Sequence, residues 1–312
     1  MLNLKSKKML QNPPQKGERH NNAVSFALDG FRNGLCYDAI FSQIKHTCKF
    51  SNQEDNEIHG ILKWAQTKCD SNYQKPSTQS TPSVPTKSPE KAASDFLRGF
   101  ECSSKDVRKK SPLKIPESLL EQATLFLESL YHEDDNVNVL LEPQKIDGII
   151  KPIGGGITQK RDKLISTIKR DYSSHSGNGA FFRFNPVKQI GTGKNGSYTD
   201  MDVLDFRYCL IESDKLPLRA QISLLAKLPL PICAITYSGG KSYHALVKIS
   251  AKSSNEYDQV VREIYEELIP FGFDQANKNS SRFSRLPGFC RGDKNQKLIY
   301  LNPNPSQENI IK

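Results

Sequence analysis

The chain of 312 residues has no long apolar run. No stretch approaches the roughly 20 apolar residues that a membrane-spanning helix needs. The N-terminus carries basic residues without an apolar segment behind them, which is not typical of a secretory signal peptide. We therefore expect a soluble, cytoplasmic protein.

Paired cysteines are also missing. The seven cysteines are an odd number and are scattered along the chain without a C-x-x-C pair. A disulfide framework or a structural zinc site would need closer, paired spacing. Cys209 and Cys233 stand inside apolar runs, so we expect them to behave as small buried hydrophobic residues.

A Walker A loop is missing as well, although one turn imitates its end. The motif requires G-x-x-x-x-G-K-[ST]; Gly240-Lys241-Ser242 supplies the end, but Ile235 occupies the first glycine position. The turn also leads into a predicted strand, whereas a P-loop leads into a helix. The sequence therefore shows no ATPase or helicase motor.

The charge of the chain is strongly positive. It has 44 Lys and Arg against 34 Asp and Glu, which gives a net charge of +10. Such an excess favours polyanionic partners, chiefly nucleic acid, although charge alone does not exclude an acidic membrane surface.

Composition divides the chain into three predicted parts. Residues 1–70 contain a small helical module, with helices over Asn21–Leu28, over Tyr37–Ile44 and after the capping-box pattern Ser51-Asn-Gln-Glu54. Residues 71–94, rich in Ser, Thr and Pro, form a flexible linker. Residues 95–312 form the larger domain.

The larger domain alternates predicted helices with predicted strands. The helices are Ser118–Tyr131, Lys160–Ile168, Leu218–Leu228 and Asn255–Ile269, and the strands are Ala180–Asn185, Phe206–Glu212, Ile232–Tyr237, Tyr243–Ile249 and Lys297–Leu301. This order predicts an α/β (α+β) fold. We expect a sheet of mixed polarity, because the turn at 238–241 is too short for a parallel crossover.

Acidic and histidine residues follow this order at regular intervals. Glu212 and Asp214 are two apart at a strand end, so both carboxylates would face one way and could hold a pair of divalent cations. A hairpin would bring His244 into the same cleft, where it could hold a triphosphate oxygen. Asp274 follows 30 residues after His244. The simpler alternative for the acidic pair is a strand that runs into a polar turn.

Basic residues surround this series in the sequence. Arg282 and Arg285 suit bidentate contacts with phosphate, and Lys241 and Ser242 belong to a turn that suits close phosphate approach. These residues, with His244, form the predicted nucleotide site. The predicted nucleic-acid contacts are Arg183 and Arg291. Arg183 alternates with aromatic residues on a predicted strand, so a solvent-facing position is the alternative.

A known protein family has a characteristic motif, which consists of an acidic pair, then S-x-H, then a further acidic residue. Glu212 and Asp214, Ser242-Tyr243-His244 and Asp274 match it in order and spacing. The chain resembles the archaeo-eukaryotic primase (AEP) superfamily, in particular the primase-polymerases of phages, plasmids and other mobile elements. Residues 17–70 are similar to the helical module called the primase C-terminal domain.

The resemblance implies a DNA-directed nucleotidyltransferase that makes or extends primers in mobile-element DNA replication. Its catalytic residues and ligands of Mg²⁺ or Mn²⁺ would be Glu212, Asp214 and Asp274, although the motif here begins with Glu where Asp is commoner. Its partners would be a DNA template, nucleoside triphosphates and a separate helicase. Two alternatives stay open: a non-catalytic DNA-binding replication initiation protein that retains the fold, and a metal-dependent nuclease.

Overall fold

The structure is a computed structural model that describes residues 19–32, 35, 37–48, 50–51, 54–70, 88–175 and 177–311. The chain forms two compact units, Met1–Val84 and Pro85–Lys312. Among the described residues, no helix combines the length and the apolar character needed to cross a bilayer.

The described residues of the first unit form three helices, α1 (Arg19–Arg32), α2 (Tyr37–Thr47) and α3 (Asp55–Asp70). They enclose a small core in which Phe26, Ile40, Ile44, Ile58 and Leu62 are the largest fully buried side chains. The backbone nitrogen and hydroxyl of Ser51 both donate to Glu54, at 2.8 and 2.9 Å, directly before α3. The three predicted helices are therefore present.

The second unit combines six helices with eleven strands among its described residues. The helices are α4 (Pro89–Leu97), α5 (Ser104–Lys109), α6 (Leu119–Leu130), α7 (Arg161–Asp171), α8 (Leu218–Lys227) and α9 (Ser254–Leu268). The strands are β1 (Asn136–Leu140), β2 (Gln144–Ile146), β3 (Ile149–Lys151), β4 (Ile157–Lys160), β5 (Phe181–Arg183), β6 (Phe206–Glu212), β7 (Ile232–Tyr237), β8 (Tyr243–Ala251), β9 (Phe283–Arg285), β10 (Phe289–Arg291) and β11 (Lys294–Leu301).

The strands form a five-stranded sheet in the order β10-β11-β7-β8-β6, a four-stranded sheet in the order β4-β1-β5-β9, and the hairpin β2-β3. The α+β class is confirmed. The prediction of mixed polarity is corrected, because all paired strands in the described residues are antiparallel. Strands β6 and β7, joined by α8, do run in the same direction, but β8 lies between them and is antiparallel to both.

Strand β6 packs against a hydrophobic core on both faces. Successive residues of the strand point to opposite faces, and both sets include apolar residues. Cys209 and Ile211 join the core under α4, α8 and α9, whereas Tyr208 and Leu210 join the core shared with α6, α7 and the four-stranded sheet. The two-residue period of a strand places Glu212 on the same face as Leu210. The strand therefore ends with a carboxylate on the side of the four-stranded sheet.

Some boundaries differ from the prediction. Helix α4 occupies residues assigned to the linker, because the Ser88 side chain accepts from the backbone of Lys91 and Pro89 starts the first turn. Residues 71–87 lie outside the described part. The predicted burial of Cys209 and Cys233 is confirmed, since both are 0% exposed.

Candidate active site

A carboxylate–imidazole pair stands at the end of the five-stranded sheet. Glu212 and His244 are direct partners in the register of β6 and β8. Oε2 of Glu212 lies 2.7 Å from Nε2 of His244, and both side chains are largely buried. The sequence prediction that the hairpin brings these two residues into one cleft agrees with this placement.

Both ring nitrogens of His244 have protein partners. Nε2 contacts Glu212, while Nδ1 lies 3.1 Å from Oγ of Ser284 on β9. The imidazole therefore links the two sheets and fixes the carboxylate. Its predicted contact with a nucleotide stays a prediction, because the geometry shows the ring engaged on both sides.

The buried Glu212 is held in its ionised form. Burial alone would raise the pKa of this carboxyl. The charge and hydrogen bond of His244, the amide of Asn277 and the charge of Arg282 outweigh burial and lower the pKa to about 2. The amide of Asn277 donates to Oε1 at 2.9 Å. The site thus presents a fixed negative charge at neutral pH.

A cavity of about 810 Å³ opens beside this pair, between the ends of the two larger sheets. Its charged lining is mainly basic, with Lys241, Arg282, Arg285, Arg291 and Lys294 facing Glu212 and Asp214. All predicted nucleotide-binding residues line it. Such a lining suits a ligand with several negative charges that also carries a metal ion.

Arg285 is the most constrained of these basic residues. It is 7% exposed, and its guanidinium carbon lies 3.8 Å from the ring centre of Phe181, its partner in the register of β5 and β9. Burial lowers its pKa to about 9, helped by the charge of Arg291. Within the described residues, its Nη1 has no hydrogen-bond partner. A buried, unsatisfied donor of this kind is well placed to bind an anion.

The two glycines of the turn before His244 make room for an arginine. Arg291 donates from Nη1 to the carbonyl of Ser238 at 3.1 Å. A Cβ atom added at Gly240 would lie 2.7 Å from the same nitrogen, and one at Gly239 would lie 3.2 Å from Arg291 Cβ. The close approach that the sequence assigned to phosphate is thus made by Arg291, which also lines the cavity.

The other two predicted acidic residues are in different settings. Asp214 lines the cavity and pairs with Lys241 at 3.1 Å, with both side chains exposed. The backbone nitrogen of Asp274 donates to the carbonyl of Glu212, but its side chain accepts from Ala276 and caps a short 3₁₀ turn. Asp274 does not line the cavity, and its role as a metal ligand stays a prediction.

Asn277, three residues after Asp274 in the chain, lies beside Glu212. It is 1% exposed and lines the cavity beside Glu212. Its Oδ1 has no hydrogen-bond partner among the described residues. Asn277 is not among the candidate site residues predicted from the sequence.

The oxygen atoms here suit a hard divalent cation. Groups of three or more His, Cys, Asp or Glu side chains placed to hold a metal are absent from the described residues. Carboxylate and amide carbonyl oxygens are nevertheless the donors that Mg²⁺ and Mn²⁺ prefer. The ionised Glu212, Asp214 two residues later and the unsatisfied Oδ1 of Asn277 supply that chemistry.

The structure corrects the prediction for Arg183. The residue is neither at a nucleic-acid surface nor on a solvent face, since it is 8% exposed. Its guanidinium carbon lies 4.0 Å from the ring centre of Phe283, and its Nη1 donates to the carbonyl of Ser281. Burial lowers its pKa to about 10. Arg183 therefore packs the sheet beneath the cavity and does not line it.

Asp200 holds the segment before several site residues, and no local sequence pattern predicts this role. Its carboxylate accepts from Ser281 N at 2.8 Å, Ser281 Oγ at 2.7 Å, Ser280 Oγ at 3.2 Å and Asn279 Nδ2 at 3.0 Å. Burial would raise its pKa, but these hydrogen bonds outweigh it and lower the pKa. Asp200 thus anchors residues 279–281, and the residues that follow them in the chain include Arg282, Ser284 and Arg285.

Two solved structures are similar to this α+β chain. The catalytic domain of the primase Repb' in complex with initiator DNA is 18% identical, with a TM-score of 0.40, over 61% of this chain and 89% of that chain. The AEP domain of the Cyanophage S-2L primase-polymerase is 19% identical, with a TM-score of 0.32, over 53% and 80% respectively. No family model and no curated protein matches the chain.

Proposed function

We propose that this chain is a DNA-directed nucleotidyltransferase that makes or extends primers and depends on a divalent metal. The observation that carries the proposal is the ionised Glu212, held by His244 and Asn277, facing a cavity lined by basic side chains. Nucleotidyl transfer needs a fixed negative charge for metal binding next to cations that bind a triphosphate. The setting that the motif resemblance implies is mobile-element replication with a separate helicase.

Different residues of the cavity would bind different parts of the substrates. Arg285 and Arg282 hold triphosphate oxygens, because planar guanidinium groups bind phosphate through paired hydrogen bonds. Lys241 adds a mobile charge that can leave Asp214 for the nucleotide. Arg291 lies on the glycine turn at the cavity wall, where it can contact a template or primer phosphate.

Glu212, Asp214 and the carbonyl of Asn277 would hold Mg²⁺ or Mn²⁺. Bound there, the metal would supply the positive charge that activates the primer 3′-hydroxyl and stabilises the departing pyrophosphate. His244 contributes by keeping Glu212 ionised and oriented. It does so without needing to move a proton.

The test is template-dependent incorporation of labelled nucleotides with Mg²⁺ or Mn²⁺. We expect Glu212→Gln and Asp214→Asn to abolish incorporation, whereas a control, Glu133→Gln, at an exposed position outside the cavity retains it. Asp274→Asn determines whether the predicted third acid takes part in the chemistry. Full activity in the Glu212→Gln/Asp214→Asn double variant would refute the proposal.

Two observations favour a second candidate, a DNA-binding initiation protein that retains the fold without catalysis. The cavity is lined by the buried, neutral Asn277 and not by Asp274, and Asp214 is paired with Lys241. Such a protein would bind DNA in a salt-dependent way and incorporate no nucleotide. Its DNA affinity would persist in the same double variant.

A further inference from the structure

A second basic surface lies outside the candidate active site. A hollow of about 530 Å³ is lined by α5 and the segment after it. Its basic members are Lys105, Arg108, Lys109 and Lys114, which we call the α5 patch. None of them lines the cavity that contains Glu212.

The helix itself gathers part of this charge. Lys105, Arg108 and Lys109 are spaced three and four residues apart, so they share one face of α5. Val107, 0% exposed, anchors the helix in the opposite direction. The three lysines of the patch are exposed. The fold therefore presents these charges together to solvent.

Nearby acids form no ion pair with the lysines of the patch among the described residues. Asp106 receives hydrogen bonds from the backbone and hydroxyl of Ser103, and Glu117 pairs with Arg108 at 2.8 Å. In residues 88–175 and 177–311, no ion pair is formed by the lysines of the patch. Asp106 interacts electrostatically with Lys109 and Glu117 pairs with Arg108, so the charge of the patch is offset only in part, and an anionic partner relieves the repulsion that remains.

The surroundings favour nucleic acid over a membrane. A membrane-binding surface presents large apolar side chains beside its cations. No large hydrophobic residue of segment 104–115 is among the exposed ones in the described chain, and Leu113 packs toward the core. A polyanion without an apolar surface is the partner that this chemistry fits.

Strand β11 connects the patch to the cavity. Lys294 begins the strand and lines the cavity, while Leu301 ends it and exchanges hydrogen bonds with the hydroxyl of Ser111, which lines the hollow. Seven residue steps at roughly 3.3 Å span roughly 23 Å. That length corresponds to about seven base pairs of duplex. One nucleic acid could therefore reach both places.

We propose that the α5 patch binds the phosphate backbone of the same DNA that enters the candidate active site. This inference rests on the proposed function for the identity of the polyanion. Contacts of this kind position a nucleic acid without reading its sequence. The α5 patch therefore increases the affinity for DNA and takes no part in catalysis.

The experiment compares the full chain with the triple variant Lys105→Gln/Lys109→Gln/Lys114→Gln. The control, Lys163→Gln/Lys169→Gln/Lys252→Gln, removes the same charge from exposed lysines outside both surfaces. Affinity for a fluorescent primer–template with about 20 base pairs is measured without nucleotide across a salt series. The logarithm of the association constant falls linearly with the logarithm of the salt concentration. Loss of three phosphate contacts should make this negative slope less steep by about 2.7. Between 50 and 200 mM salt, the wild-type affinity should then fall about 40-fold more than that of the triple variant.

Three outcomes separate this inference from the proposed function. Equal salt slopes in the triple and control variants would overturn the proposal that the α5 patch binds DNA. Unchanged DNA binding with weaker binding of a poly-glutamate peptide also overturns it, and assigns the surface to an acidic protein. If the salt slope of the triple variant is less steep but the wild-type chain incorporates no nucleotide, the result supports DNA binding by the α5 patch and refutes the proposed function. If the chain is active, the patch predicts a higher KM for primer–template with an unchanged kcat.

Discussion

Replacing His244 with glutamine removes the main charge that keeps Glu212 ionised. The pKa of Glu212 falls from its ordinary 4.5 to about 2, and its side chain is only 16% exposed. Each unit of pKa corresponds to about 1.4 kcal/mol, so the folded state gains about 3 kcal/mol at pH values above 4.5. His244→Gln should remove most of this gain.

The pH dependence gives the sign of the effect. Because the folded-state pKa of Glu212 is lowered, its stabilisation is fully present above pH 4.5 and is lost as the pH falls through about 2. The wild type should exceed His244→Gln by about 3 kcal/mol at pH 5 and by about 1.5 kcal/mol at pH 3. Both values lie below the ordinary histidine pKa of about 6.5, so titration of histidine in the unfolded chain adds little.

Urea unfolding followed by far-UV circular dichroism at the two pH values measures this difference. Trp64 is the single tryptophan and lies in the first unit, so its fluorescence provides an internal control. His132→Gln, at an exposed histidine, is the matched variant. A stability difference below about 1 kcal/mol at pH 5, or one equal at both pH values, would refute the reasoning.

Two further results are expected. Arg285→Lys keeps the charge but loses the planar fork, so the KM for nucleotide should rise roughly tenfold; Arg183→Lys, also buried but outside the cavity, should leave this KM unchanged, and equal effects would contradict the assignment. Asp200→Asn weakens the hydrogen bonds to Ser281, so we expect a loss of roughly 1–3 kcal/mol in urea unfolding and a higher KM for nucleotide through misplacement of Arg282. An unchanged KM would leave Asp200 a purely structural residue.

Much of the larger domain could be predicted from local pattern. The bounds of β6 and β7 are as predicted, because each is an apolar run that ends at polar residues. Strands β1, β2, β3, β4, β9 and β10 were not predicted. Strand β9 has three residues and pairs with β5, which comes from a distant part of the chain, whereas β10, also of three residues, pairs with the adjacent β11.

The candidate site, too, could be predicted only in part from the sequence. The sequence predicted Glu212 and His244 in one cleft, and the short turn at 238–241 does pair β7 with β8. The pairing of β8 with β6, which places His244 opposite Glu212, is decided by the tertiary structure. The sequence could not find the role of Asn277, which reaches Glu212 across 65 residues of chain, or of Asp200, which is 81 residues from Ser281. Contacts of that separation leave no periodic signal in the local sequence.

The sequence by itself determined the strands β5 to β8 and β11 along the chain, the acidic pair, the histidine hairpin and the basic charge. Only the tertiary structure separated two arginines with similar local patterns, in Phe181-Phe-Arg183 and Phe283-Ser-Arg285. Antiparallel pairing of β5 with β9 puts each arginine opposite the other strand's phenylalanine, on one face of the sheet. Arg285 and Phe181 both line the cavity, whereas in the other pair only Phe283 does, because Arg183 donates to the carbonyl of Ser281 in the segment that Asp200 holds. The physical reason is position along a shared sheet, which depends on which strands meet and not on the residues within either strand.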